Sequence, residues 1–206
     1  MSGHNLLELV RVVDGLGDKD YLISTIAYSA APTVEGKKPS TVVNLPRNRR
    51  NLCELWQRHK SDVAESLAVS FFELRRNEDS ILVLIYKPET LNKYLLKKSS
   101  MRFLRDYGYR REMGLEGCLE HLKRRYNCEC PHELGVFLGY PVKDVIGFIE
   151  NQGKKCLLCR YWKVYHNPGR AKCIFNAYDK AKKKMACIIL DTYKSRGSNK
   201  LRLEFN

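Results

Sequence analysis

The stretch Cys130–Tyr165, CPHELGVFLGYPVKDVIGFIENQGKKCLLCRYWKVY, constrains this chain more than any other segment. Pro131 suits the first turn of a helix running through Leu138, and Gly139 supplies the left-handed residue that ends one. Pro141 then opens a second helix, Val142 to Asn151, closed by Gly153. Two short helices around a tight Gly-Tyr-Pro turn predict an αα-hairpin resembling a helix-turn-helix. Gly135 is its small contact residue, Leu134 and Leu138 face inward, and Val145 and Phe148 anchor the second helix. As a DNA reader, that second helix would present Lys143, Asp144, Gly147, Glu150 and Asn151. Two acids and a glycine match a duplex poorly, since it carries about one negative charge per 1.7 Å of axis. The hairpin is therefore expected to be structural.

Positive charge begins just after it. From Lys154 to Asn206 there are 14 Lys and Arg against 3 Asp and Glu, so +11 of the net +14 lies in the C-terminal quarter. Such asymmetry points to an anionic partner: DNA or RNA first, an acidic protein next. The contacts would come from Lys154, Lys155, Arg160, Lys163, Lys182, Lys183, Lys184 and Arg196. YWKVY read as a strand sets Tyr161, Lys163 and Tyr165 on one face and Trp162 and Val164 on the other. The first face could stack a base beside a cation. More often such a strand buries one face and exposes the other, with the tyrosine rings at the boundary.

Cysteine spacing offers a different chemistry. Cys128 and Cys130 precede the hairpin, and Cys156 and Cys159 form a CxxC after it. If the hairpin folds back, four thiolates could hold tetrahedral zinc or an iron–sulfur cluster. CxC…CxxC is not a standard finger or ribbon spacing, and reduced cytosolic thiols are the competing reading. Catalytic patterns are thin. His132-Glu133 resembles half of HExxH, but position 136 is Val. There is no GxSxG, and the loop containing Gly36-Lys-Lys38 lacks P-loop spacing.

The rest of the chain sets the fold class. Ile81–Tyr86, ILVLIY, is apolar on both faces and is predicted to be a central strand. It forms a hairpin with Leu67–Leu74 through Asn77-Glu-Asp-Ser80, and Thr41–Leu45 is a further short strand. Amphipathic helices are predicted at 5–13, 20–28, 51–63, 88–95, around 99–107 and 115–126. The expectation is an α+β fold: one helix-rich domain over residues 1–184 on a small antiparallel sheet, followed by a basic C-terminal hairpin or tail at 185–206. In that appendage ACIILDTY and KLRLEF are read as strands. The N-terminus has no basic n-region or cleavage site, and no apolar run approaches the ~20 residues that span a bilayer. A cytoplasmic protein without membrane association is expected.

Three motifs together resemble an uncharacterised clostridial domain-of-unknown-function family, over roughly residues 20 to 184. The first is the loop Pro32, Gly36, Lys38 and Pro39. The second is Pro131, His132, Glu133, Gly139, Tyr140, Pro141, Asp144, Gly147 and Phe148. The third is Tyr161, Trp162, Lys163 and Tyr165. Arg160 departs from the family pattern, where a glycine precedes YWKVY, and so does the basic tail. The resemblance implies a soluble bacterial protein and no known activity, with an acidic flavodoxin-like protein as a candidate partner. It also raises one geometric question. If Lys38, His132, Glu133, Tyr161 and Tyr165 converge on one cleft, they mark a ligand site, whereas motifs scattered through the core mark packing.

Overall fold

The computed structural model describes residues 3–47, 50–126 and 130–196. Its centre is the three-stranded antiparallel sheet of β1 (Ser40–Pro46), β2 (Ser70–Arg76) and β3 (Ser80–Tyr86), in the order β1-β3-β2. As predicted, ILVLIY is the middle strand. Its alternation divides the molecule: Ile81, Val83 and Ile85 enter one core, while Leu82, Leu84 and Tyr86 enter the other. A strand buried on both sides can afford no polar residue on either face. Asn77 ties the β2–β3 turn by accepting from the Asp79 and Ser80 amides at 3.2 and 2.7 Å.

The first core lies under α1 (Gly3–Asp14), α2 (Asp18–Ser29), the single turn α3 (Ala31–Val34) and α4 (Leu52–Leu67). Asn51, left-handed at φ 45°, caps α4 by accepting from the Glu54 amide. Trp56 of α4 is fully buried, edge-on to Phe71 at 4.9 Å, and its indole N–H donates to Glu73. The second core lies under α5 (Pro88–Leu95), α6 (Lys98–Arg105), α7 (Gly114–Tyr126), the single turn α8 (Leu134–Phe137) and α9 (Val142–Glu150). After α9, β4 (Leu158–Cys159) pairs with β5 (Lys163–Val164) in a minimal hairpin. The chain is thus an α+β fold with helices on both faces of a small sheet. Among the described residues no helix is long and apolar enough to cross a membrane.

Two expectations are corrected. The strand read over Ala186–Tyr193 is helical, because α10 runs unbroken from Pro168 to Arg196. Its β-branched residues invited the strand reading. However, Ala181, Met185, Ala186, Ile189 and Leu190 recur at helical spacing, and all five are buried. The second expected strand, KLRLEF, lies outside the described residues. The other correction concerns α9. Asp144 and Gly147 were placed on its exposed face, yet both are buried. The Tyr161–Tyr165 segment covers that face, and a Cβ on Gly147 would stand 2.5 Å from the Cβ of Tyr165. No groove could be read by a face already covered by its own chain.

A third, smaller core explains the cover. Trp162 and Val164 meet Ala171, Phe175 and Tyr178 of α10 there, with Tyr140 packed alongside. The predicted alternation of YWKVY holds, since Trp162 and Val164 are buried while Lys163 is exposed. Only Lys163 and Val164 have strand pairing, however.

Candidate functional site

The Gly-Tyr-Pro turn between α8 and α9 is the joint on which all three motifs meet. Gly139 has φ +79°, and a Cβ there would lie 2.5 Å from the Pro39 ring, so the residue must be glycine on both counts. Pro39 reaches it because the amides of Lys37 and Lys38 wind back onto the Pro32 carbonyl at 2.8 and 3.0 Å. The Ser40 hydroxyl donates to the Phe137 carbonyl at 2.8 Å, and the Tyr94 hydroxyl donates to that of Gly139 at 2.9 Å. The first motif is thereby pinned to the second.

Tyr140 and Asp144 join the second motif to the third. The Tyr140 ring stacks on Trp162 with centroids 5.1 Å apart, and its hydroxyl donates to the Tyr161 carbonyl. Asp144 is 2 % exposed. One of its oxygens accepts from the Trp162 indole at 2.8 Å, and the other from the amides of Tyr165 and His166 at 2.8 and 2.7 Å. A carboxylate can be buried at such a position because charge-assisted bonds replace its water. Immediately beyond, Asn167 caps α10 by accepting from the Arg170 amide.

Between these fixed parts lies a polar cleft of about 630 Å³. Its walls are the Gly36–Pro39 loop, the ends of α5 and α6, the start of α9 and the first turns of α10. Lys37, Lys38, Lys97, Lys143 and Arg170 line it, and none of these five is in a salt bridge among the described residues. The one acid among its lining residues is Asp144, whose oxygens are already engaged. Lys38 is 8 % exposed, and its ammonium has no acceptor among the described residues; its nearest partner is the Tyr140 ring, 5.5 Å away. Burial lowers its pKa from 10.5 to about 8, and the nearby Lys182 charge adds to the effect. Two largely buried lining residues, Ser100 and Tyr178, also have hydroxyls that make no hydrogen bond among the described residues.

The motifs therefore converge, although the expected residues separate. Lys38 lines the cleft. Glu133 is fully buried elsewhere, paired with Arg125 and accepting from the Tyr109 hydroxyl. His132 is exposed, edge-on to Phe148, at the mouth of a second and apolar cavity of about 360 Å³. The Tyr161 hydroxyl donates to Asp179 at 2.8 Å. Burial alone would raise the Asp179 carboxyl, but Tyr161 and Arg160 outweigh it and hold it below its ordinary value. The Tyr165 hydroxyl is buried without a hydrogen-bond partner among the described residues.

The expected basic contacts are partly spoken for. Arg160 pairs with Asp179 at 2.8 Å and Lys184 with Glu35 at 2.9 Å, while Lys163 donates to the Gly153 carbonyl. Lys182 lies over the Tyr28 and Tyr161 rings. Lys154, Lys155 and Lys183 are exposed, and Arg196 closes α10. Among the described residues no three His, Cys, Asp or Glu side chains are arranged to hold a metal ion. Of the expected thiol set, Cys130 sits beside the Tyr126 hydroxyl, Cys156 precedes β4, Cys159 is its second residue, and Cys128 lies outside the described residues.

Sequence reasoning missed Asp144 as the centre of the assembly, and missed Lys97, Lys143 and Arg170 as cleft residues. The spacing of Asp144 and Gly147, one helical turn apart beside buried Val145, was the available signal for a covered face.

A small α+β domain with a cationic cleft between motif loops and a long helix defines the class of the molecule. The chain belongs to the family described as "Protein of unknown function (DUF3793)", which matches residues 26–196. That span begins within α2 and ends with α10, so it takes in the sheet and the cleft. Comparison with curated proteins and with solved structures finds no match.

Proposed function

We propose that the protein is a non-enzymatic binding protein for an anionic macromolecule, nucleic acid first, and that it engages this partner at the polar cleft. The observation that supports the reading is the run of five cations lining one concavity with no free carboxylate to neutralise them. Surface cations in proteins usually alternate with acids, and here that balance is missing where three sequence motifs meet. The exposed Lys154, Lys155 and Lys183 add charge outside the cleft. Binding of this kind releases counterions, so its affinity falls steeply with salt.

The test is a fluorescence-anisotropy titration of single-stranded DNA and RNA at two salt concentrations. Micromolar or tighter binding at low salt, weakening at the higher salt, is the expected result. Loss of affinity in a Lys97→Ala/Lys143→Ala double variant would place it at the cleft. Absence of binding to either nucleic acid at low salt sinks the reading.

A further inference from the structure

We infer that the cleft is a recognition site for a terminal phosphate monoester, such as the 5′-phosphate of a nucleic-acid strand or a nucleoside monophosphate. The inference rests on the anion-binding reading above and narrows it to one chemical group.

Three polar groups carry it. Lys38, Ser100 and Tyr178 are each more than nine-tenths buried, all line the cleft, and none has a hydrogen-bond partner among the described residues. These groups open onto the cleft and bond to nothing among the described residues, so a ligand that enters meets three unengaged donors at once. One is an ammonium and two are hydroxyls, which together offer donors to several acceptor oxygens and at least one compensating charge. A monoester dianion matches this set: it presents three terminal oxygens and up to two negative charges. A carboxylate has fewer oxygens and one charge.

The surroundings favour the same group. Arg170 on the first turn of α10 brings the planar fork that pairs with phosphate oxygens. The N-terminal end of this 29-residue helix contributes its positive partial charge to the same wall. Lys182 lies close enough to act on Lys38, so the site repels cations and lacks an internal counter-ion. Depth selects the terminus of a strand. Lys38 is reached only by a group that enters the cleft, whereas an internal diester must continue in both directions. The volume, about 630 Å³, falls within the range of about 300–1,000 Å³ typical of small-ligand sites.

The experiment compares two short oligonucleotides of one sequence, one 5′-phosphorylated and one with a 5′-hydroxyl, by anisotropy against the full chain. The phosphorylated strand should bind roughly tenfold tighter or more, as expected for charge-assisted bonds. Adenosine monophosphate should compete with it, and adenosine should not. Lys38→Met and Arg170→Ala should each abolish the preference, so that the two strands bind equally, and should also lower the affinity for the hydroxyl strand, whereas Glu133→Gln, outside the cleft, should leave the preference intact. Thermal denaturation confirms that the variants fold. Equal affinity for the two strands overturns this inference and leaves the polyanion reading standing. Saturable adenosine monophosphate binding without strand binding supports the site and overturns the polyanion reading. No binding of any probe overturns both.

Discussion

Replacing Lys38 by Met should stabilise the free protein. Met keeps most of the stem that packs against Tyr140 and removes the charge that burial penalises. The depression from 10.5 to about 8 corresponds to on the order of 3 kcal/mol. Below pH 8 the lysine is protonated in both the folded and the unfolded chain, and the folded state bears the whole penalty. Between about pH 8 and 10.5 the folded chain releases its proton first, so wild-type stability gains with rising pH. The advantage of Lys38→Met is therefore full at pH 7 and gone above about pH 10.5. For a chain of this size it amounts to a rise in Tm of roughly 6–12 °C at pH 7. Thermal unfolding of both proteins across pH 7 to 10.5 measures it. The difference between them isolates Lys38 from the Cys118 thiol and the buried tyrosines, which titrate in both. A variant no more stable than wild type at pH 7 would refute the argument, as would an advantage that persists undiminished at the alkaline end. The same substitution should remove phosphate recognition, so stability and binding move in opposite directions.

Asp144→Asn should lower stability by about 3 kcal/mol in urea denaturation, because the amide cannot accept from both the Trp162 indole and the two backbone amides. Tryptophan fluorescence should report the loosened Trp162. Gly139→Ala should cost about 2 kcal/mol or more, since it combines a left-handed φ with a clash against Pro39, and it should weaken anion binding by releasing the Lys38 loop. Glu133→Gln should cost about 1 kcal/mol by weakening the charge-assisted bond to the half-exposed Arg125, yet leave oligonucleotide affinity unchanged. A change in affinity would return Glu133 to the site.

What the sequence revealed, and what it hid, divides along physical lines. ILVLIY announced its central place because a two-sided apolar strand has few alternatives. Pro88, Gly139 and Pro141 marked their helix ends through backbone restrictions that hold locally, whereas the helix read from Pro131 shrinks to the single turn Leu134–Phe137. The tail was misread because local β-propensity in CIIL competes with a helical period that only the long α10 makes visible. Asp144 was misread because burial of a carboxylate depends on donors that arrive from 18 to 22 residues away. The cleft itself was only half legible. Lys38 belongs to a recognisable motif, but Lys97 and Arg170 are ordinary surface residues until the fold sets them around it. The His132-Glu133 pair, the most catalytic-looking dipeptide in the chain, is divided between a buried ion pair and an apolar cavity mouth.

The reach of α10 has a consequence for how the molecule is made. At its start it supplies Arg170, Phe175 and Tyr178 to the cleft and the third core, and further along it seats Met185, Ala186 and Ile189 in the first core. At about 1.5 Å per residue it spans about 43 Å. A nascent chain that has emerged only as far as α9 would present the sheet's first face partly uncovered and would hold no cleft at all. Synthesis runs from the N-terminus, so the packing of α10 onto the first core and the formation of the cleft are the same event. An unfinished copy would lack the cleft and would carry exposed apolar surface that quality control can recognise.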